Sequence, residues 1–166
     1  MDTGNHMRRV VFLDIDGVLN TQMTSERTPD GFRGIEDKYI INLEKLVSIF
    51  DADIILTSDW KDCWDINPDK CDIDGKYLNA RLAEFGLHIK DKTSDRARGT
   101  DISGRGMGIR TYLLDNRDIK RYVIIDDNFF EDFDSGLQKH FVNVSSYLGF
   151  TEEYFAQAKS ILLKED

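Results

Sequence analysis

Two short apolar runs, each ending in paired aspartates, constrain this chain more than any other feature. The first is Val10-Val11-Phe12-Leu13, followed by Asp14-Ile15-Asp16-Gly17. The second is Tyr122-Val123-Ile124-Ile125, followed by Asp126-Asp127-Asn128. Runs this short, rich in β-branched and aromatic side chains, read as strands buried on both faces. Such strands belong in parallel sheets with helices on either side. In open α/β sheets the ligand crevice lies outside the carboxyl ends of the strands. If the two runs are sheet neighbours, about 5 Å apart, up to four carboxylates converge on one pocket. Like charges that close raise each other's pKa, so a cation is the natural partner. Mg²⁺ takes one or two protein carboxylates together with water and substrate phosphate.

The rest of the chain alternates helical and strand patterns. Thr21 to Gly34 is polar and carries Pro29, Gly31 and Gly34, which predicts a loop or short flap over the carboxyl end of the sheet. Glu36 to Phe50 predicts a helix, with Tyr39, Ile40, Leu43, Leu46, Val47 and Phe50 on one face. Ile54-Ile55-Leu56 reads as another buried strand, ending at Thr57-Ser58-Asp59-Trp60. Lys61 to Asp74 is irregular. Leu78 to Phe85 predicts a short helix stopped at Gly86, and Leu87-His88-Ile89 an edge strand. Asp91 to Arg105 reads as a polar, partly basic loop, Met107 to Leu114 as a helix and His140 to Val144 as a strand. Thr151 is a plausible N-cap for a last helix that buries Tyr154, Phe155, Ala158, Ile161 and Leu162. The alternation predicts an α/β sandwich with a mainly parallel sheet.

Composition narrows the class. With 166 residues, 40% hydrophobic and 32% charged, the chain fits one globular domain. Residues 1–7 read as a tag or disordered N-terminus, since Asn5-His6-Met7 resembles a cloning scar, and residues 8–166 as the domain. The formal net charge of −9 disfavours non-specific binding along nucleic acid, which needs a basic surface, while leaving room for a locally basic pocket. No apolar run approaches membrane-spanning length, and no signal-peptide pattern opens the chain. Cys63 and Cys71 match no zinc or redox spacing and read as free thiols in a reducing cytoplasm.

Asp14, at a strand end, is the natural nucleophile, since carboxylates form acyl-phosphate intermediates. Asp16 can reach over the same site as general acid and then base, and its backbone carbonyl can serve a metal. Ser58, or less favourably Thr57, offers a hydroxyl to a phosphate oxygen. A fixed cation on the transferring phosphoryl group completes the need. In Gly104-Arg105-Gly106-Met107-Gly108-Ile109-Arg110, Arg105 stands just before a helix, where the dipole favours anions. Arg110 and Lys61 are alternative cations. The segment is not a Walker P-loop, because the terminal Gly-Lys-Ser/Thr is missing.

In this order the motifs resemble the haloacid dehalogenase (HAD) superfamily: Asp14-x-Asp16-Gly17-Val18-Leu19, then Ile54-Ile55-Leu56-Thr57-Ser58, then a basic residue before a helix, then Ile124-Ile125-Asp126-Asp127. The resemblance spans Arg8 to Leu163. Ser58-Asp59-Trp60, the stretch from Arg105 to Leu113 and Leu148-Gly149-Phe150-Thr151 are similar to a small cap-less branch related to the phosphatase domains of nucleic-acid repair enzymes. The resemblance implies a Rossmann-like three-layer core without a large cap, and a Mg²⁺-dependent phosphomonoesterase. Asp14 would be nucleophile and metal ligand, Asp16 general acid/base, Ser58 phosphate binder, Arg105 the cation, and Asp126 or Asp127 a further metal ligand. The second aspartate favours a phosphatase over a dehalogenase. An uncapped site suits a large substrate, such as a phosphorylated nucleic-acid end, and also admits small phosphate esters. The competing class is a phospho-accepting or metal-binding regulatory module without turnover, like a response-regulator receiver. The order of the acidic motifs disfavours it.

Overall fold

At the centre of the sheet runs β1 (Arg8–Leu13), in a computed structural model that describes residues 7–95 and 104–164. It is flanked on one side by β2 (Asp53–Leu56) and then β3 (Ile89–Lys92), and on the other by β4 (Ile119–Asp126) and then β5 (Phe141–Asn143). Every pairing in this five-stranded sheet is parallel. The helices are α1 (Asp37–Phe50), α2 (Ile73–Ala83), α3 (Arg105–Asp115), the single turn α4 (Ser135–Gln138) and α5 (Glu152–Leu163).

The two-residue period of the strands sorts the core into two layers. Val11, Leu13, Ile54, Leu56, Val123 and Ile125 point to one face, where Ile40 and Leu43 of α1, Leu78 and Leu82 of α2, and Ala158 and Leu162 of α5 cover them. Val10, Phe12, Ile55 and Ile124 point to the other, against Ile109 of α3 and Leu137 of α4. Each such side chain contributes about 1.5–3 kcal/mol by leaving water. Helices on both faces are what allow β1 to be apolar at successive positions, and they make the fold the expected three-layer sandwich without a large cap.

Element boundaries depart from the sequence pattern where burial is polar or tertiary. α2 starts at Ile73 rather than Leu78, because its first turn is anchored by the buried carboxylate of Asp74 and by Gly75. A Cβ on Gly75 would lie 2.1 Å from the Cys63 carbonyl oxygen. β3 falls at Ile89–Lys92, starting on the last residue of the expected Leu87-His88-Ile89, and its hydrogen bonds to β2 carry it through polar residues. α3 begins at Arg105 itself, and α4 has no counterpart in the apolar pattern. The stretch from Thr21 to Gly34 is a folded flap, with an antiparallel bridge between Arg27 and Arg33. Of the loop expected over Asp91–Arg105, Asp91 and Lys92 belong to β3, and residues 96–103 lie outside the described residues, as do 1–6 of the expected N-terminal tag. Among the described residues no helix is long and apolar enough to cross a membrane.

Candidate active site

Strand register brings the acids together. Leu13 pairs with Leu56 on one side and with Ile125 on the other. The backbone N–H of Asp14 donates to the Ile125 carbonyl at 3.0 Å, and that of Thr57 to the Leu13 carbonyl at 3.0 Å. Asp14, Thr57 and Asp126 therefore leave the sheet at one level. At that level opens a cavity of about 450 Å³ whose lining includes Asp14, Asp16, Ser58, Asp59, Arg105, Asp126 and Asp127.

Asp14, Asp126 and Asp127 each offer a carboxylate oxygen, and the three oxygens lie within 4.8 Å of one another. Asp14 is 6% exposed and Asp126 fully buried. Burial, then the charge of Asp126, pushes the Asp14 carboxyl well above the usual carboxylate range, with Arg105 opposing. Burial likewise pushes Asp126 up to about 6, against the pull of Arg105 and of the Asn128 N–H that its Oδ1 accepts at 3.0 Å. Gly17 makes room for the third acid. Its φ is +83°, and a Cβ there would sit 2.2 Å from Asp127 Oδ2. Three convergent hard oxygen donors, two of them desolvated, form a donor set that fits a small divalent cation such as Mg²⁺.

Asp16 faces the cavity differently. Its Oδ1 accepts from Asn20 Nδ2 at 2.9 Å and its Oδ2 from Trp60 Nε1 at 3.1 Å, and it stands outside the three-carboxylate group. Asn20 is itself fully buried. Its Oδ1 accepts the Gly17 N–H, and its Nδ2 also donates to the Gly34 carbonyl. The Asp16 carboxylate is thus oriented by two side chains that sequence reasoning passed over.

The hydroxyl and cation expectations can be read residue by residue. Ser58 borders the cavity, and its Oγ accepts the Trp60 N–H at 3.2 Å, capping the 3₁₀ turn Asp59–Asp62. Thr57 is fully buried and does not line the cavity. Arg105 donates through Nη1 to Asp126 at 2.8 Å and to Asp14 at 3.4 Å, and through Nη2 to Asp59 at 3.2 Å. Its guanidinium carbon lies 4.6 Å from the centre of the Phe130 ring. Burial alone would lower its pKa, but Asp126 and Asp14 hold it raised. Lys61 is engaged elsewhere, with Asp95 at 2.7 Å and the Thr57 carbonyl at 3.2 Å. Arg110 donates to the Asp132 carbonyl and to the Asp134 carboxylate. Of the three candidate cations, Arg105 lines the cavity.

Asp132 is a further residue the sequence did not single out. Its carboxylate accepts the N–H groups of Gly106 at 3.0 Å and Met107 at 2.9 Å, capping α3 from outside the helix. The approach needs glycine: a Cβ on Gly106 would lie 2.6 Å from the Asp132 carbonyl oxygen. This contact fixes the helix start that carries Arg105.

Comparison with known proteins bears on this geometry. A family model described as the HAD domain in Swiss Army Knife RNA repair proteins matches residues 10–155. The chain belongs to this family. No curated protein and no solved structure matches it. The all-parallel sheet, the strand-end acids and the absence of a large cap among the described residues are those of a HAD domain, and the chemistry of the family is of the phosphatase type.

Proposed function

We propose that this HAD domain is a Mg²⁺-dependent phosphomonoesterase that works through an aspartyl-phosphate on Asp14. The observation that carries the reading is the convergence of Asp14, Asp126 and Asp127 within 4.8 Å at the level where Arg105 enters the cavity. Asp14, Asp126 and Asp127 would hold the ion, with the backbone carbonyl of Asp16 as a further donor. Bound there, Mg²⁺ supplies positive charge and a template for the phosphate oxygens.

The chain's own residues account for the remaining steps. An Asp14 carboxylate oxygen attacks phosphorus, and the phosphorus–oxygen bond to the leaving group breaks. Arg105 and the Ser58 hydroxyl hold the equatorial oxygens, where charge is spread during transfer. Asp16 gives its proton to the departing oxygen, which leaves as an alcohol. Water then attacks the phosphorus of the acyl phosphate, Asp16 takes a proton from that water, and inorganic phosphate departs with Asp14 restored.

The open cavity and the RNA-repair family description support a phosphorylated nucleic-acid end or nucleotide as substrate. Cys63 and Cys71 are both free thiols, which suits a reducing cytoplasm. The test is phosphate release from an aryl phosphate and from 3′- and 5′-phosphorylated oligonucleotides, in metal-stripped protein with and without added Mg²⁺. Release that requires Mg²⁺ supports the reading. Retention of a stable phosphoryl group on the protein without release favours a regulatory module instead.

A further inference from the structure

A second cavity, of about 560 Å³, opens beside the first, and Asp16 and Asp59 line both. Its position follows from in-line chemistry. Attacking and leaving oxygens lie on opposite sides of phosphorus, and the leaving oxygen must reach the acid that protonates it. Because the second cavity shares Asp16 with the first, a leaving oxygen protonated by Asp16 stands at its mouth.

The walls specify what fits. Trp60 is 8% exposed, with its Nε1 bound to Asp16, and forms an aromatic wall. The second aromatic residue of the lining is Phe32, which is 68% exposed and whose backbone is tied down. Its N–H donates to Thr28 Oγ1 at 3.0 Å, its carbonyl accepts the Thr28 N–H at 2.8 Å, and Thr28 Oγ1 donates to the buried Asp74 at 2.8 Å. Asp74 also accepts the Asp30 N–H, so the flap tip is clamped to α2 from two sides. These bonds hold the Phe32 backbone in the flap and set its exposed ring at the cavity, where it offers an aromatic face for stacking. Asp30, Asp62 and Asp72 add carboxylates around it, and among the described residues Arg33 is the single cation in the lining. A track for a polyanionic strand needs a row of cations, and among the described residues this cavity has the opposite balance. Its charge suits a flat, neutral group rich in N–H donors.

Building on the phosphomonoesterase reading, we infer that the second cavity is the leaving-group site for one nucleoside unit, whose base stacks on Phe32 and offers amino hydrogens to the surrounding carboxylates. Only the terminal nucleoside enters, and any chain beyond it runs outside.

The experiment compares adenosine monophosphates, 3′ and 5′, with ribose 5-phosphate and glucosamine 6-phosphate, in wild type, Phe32→Ala and Phe32→Tyr. Binding of unphosphorylated adenosine, followed by tryptophan fluorescence, is measured beside turnover. Wild type should prefer an adenosine monophosphate over ribose 5-phosphate in kcat/KM. Phe32→Ala should narrow that preference about tenfold and weaken adenosine binding comparably, and Phe32→Tyr should restore both. Preference or adenosine binding indifferent to Phe32 overturns the inference, as does glucosamine 6-phosphate outrunning the nucleotides, which would mark a cationic, non-aromatic occupant. If no ester is hydrolysed but adenosine binds through Phe32, the nucleoside site stands and the phosphatase reading fails. If esters are hydrolysed but adenosine does not bind, the reverse holds.

Discussion

Asp14 is asked to be both buried and charged. It is 6% exposed, beside Asp126 and Asp127, and its carboxyl is held well above its ordinary range. Asp14→Asn removes one charge from this group while keeping its shape. It should lower kcat by about 10³-fold or more and raise the melting temperature of the metal-free protein. Steady-state assays and a thermal melt on the same preparation check both. Asp16→Asn should behave differently, because its proton matters most for a poor leaving group. Formation of the phospho-enzyme should slow more for an alkyl than for an aryl phosphate, and pre-steady-state kinetics on the two would separate them. At this scale the sequence was informative about charged groups at strand ends, since each is adjacent to an apolar run. It gave no role to Asn20, and it named Trp60 only within a motif, although both orient Asp16; nor did it single out Asp132, whose contact with the start of α3 joins residues far apart in the chain. No local pattern encodes the long-range bonds of Trp60 and Asp132, whereas the Asn20 bond to Asp16 spans four residues and was there to be read.

Among the elements, α3 shows how a helix start becomes part of a site. Its N-cap position, Gly104, offers no side-chain cap, and Asp132 supplies one from the β4–α4 connection. Asp132→Ala should cost about 1 kcal/mol of stability, the usual loss for a cap. Because Arg105 occupies the first position of that helix, kcat/KM should also fall, through KM more than kcat. Asp132→Asn, which can still accept both N–H groups, should recover most of the loss. Urea melts and substrate titrations of the two variants make the comparison. The elements that meet the core through apolar side chains were legible: β1, β2 and β4 as short runs rich in β-branched and aromatic residues, α1 and α5 from their helical period. α2 and β3 were read with shifted bounds because Asp74, Gly75 and the polar residues of β3 are set by packing and sheet hydrogen bonds rather than by hydrophobicity.

For the whole molecule, the three-layer sheet drives acids into a low-dielectric cleft, and stability must register that cost. Asp126 titrates near 6 in the folded state and near 3.9 when unfolded. Between those values the folded state binds more protons, so raising pH through the window destabilises the metal-free fold. Asp14 adds a contribution of the same sign. Mg²⁺, by neutralising the ionised carboxylates in the folded state only, should raise the melting temperature more at pH 7 than at pH 5. Thermal melts at both pH values, with chelator and with Mg²⁺, check this. The general class and the convergence of the acids followed from the order of strands and motifs, whereas the shape of the second cavity did not, because it depends on how the Thr28–Phe32 hairpin docks on α2. The central claim is that Asp14 becomes covalently phosphorylated, and borohydride trapping tests it most directly. Protein turning over an aryl phosphate with Mg²⁺ is quenched and reduced, and the peptide containing residue 14 is sequenced by mass spectrometry. The account predicts conversion of Asp14 to homoserine, dependent on both substrate and Mg²⁺. Phosphate release with Asp14 unmodified and another residue carrying the label would contradict it.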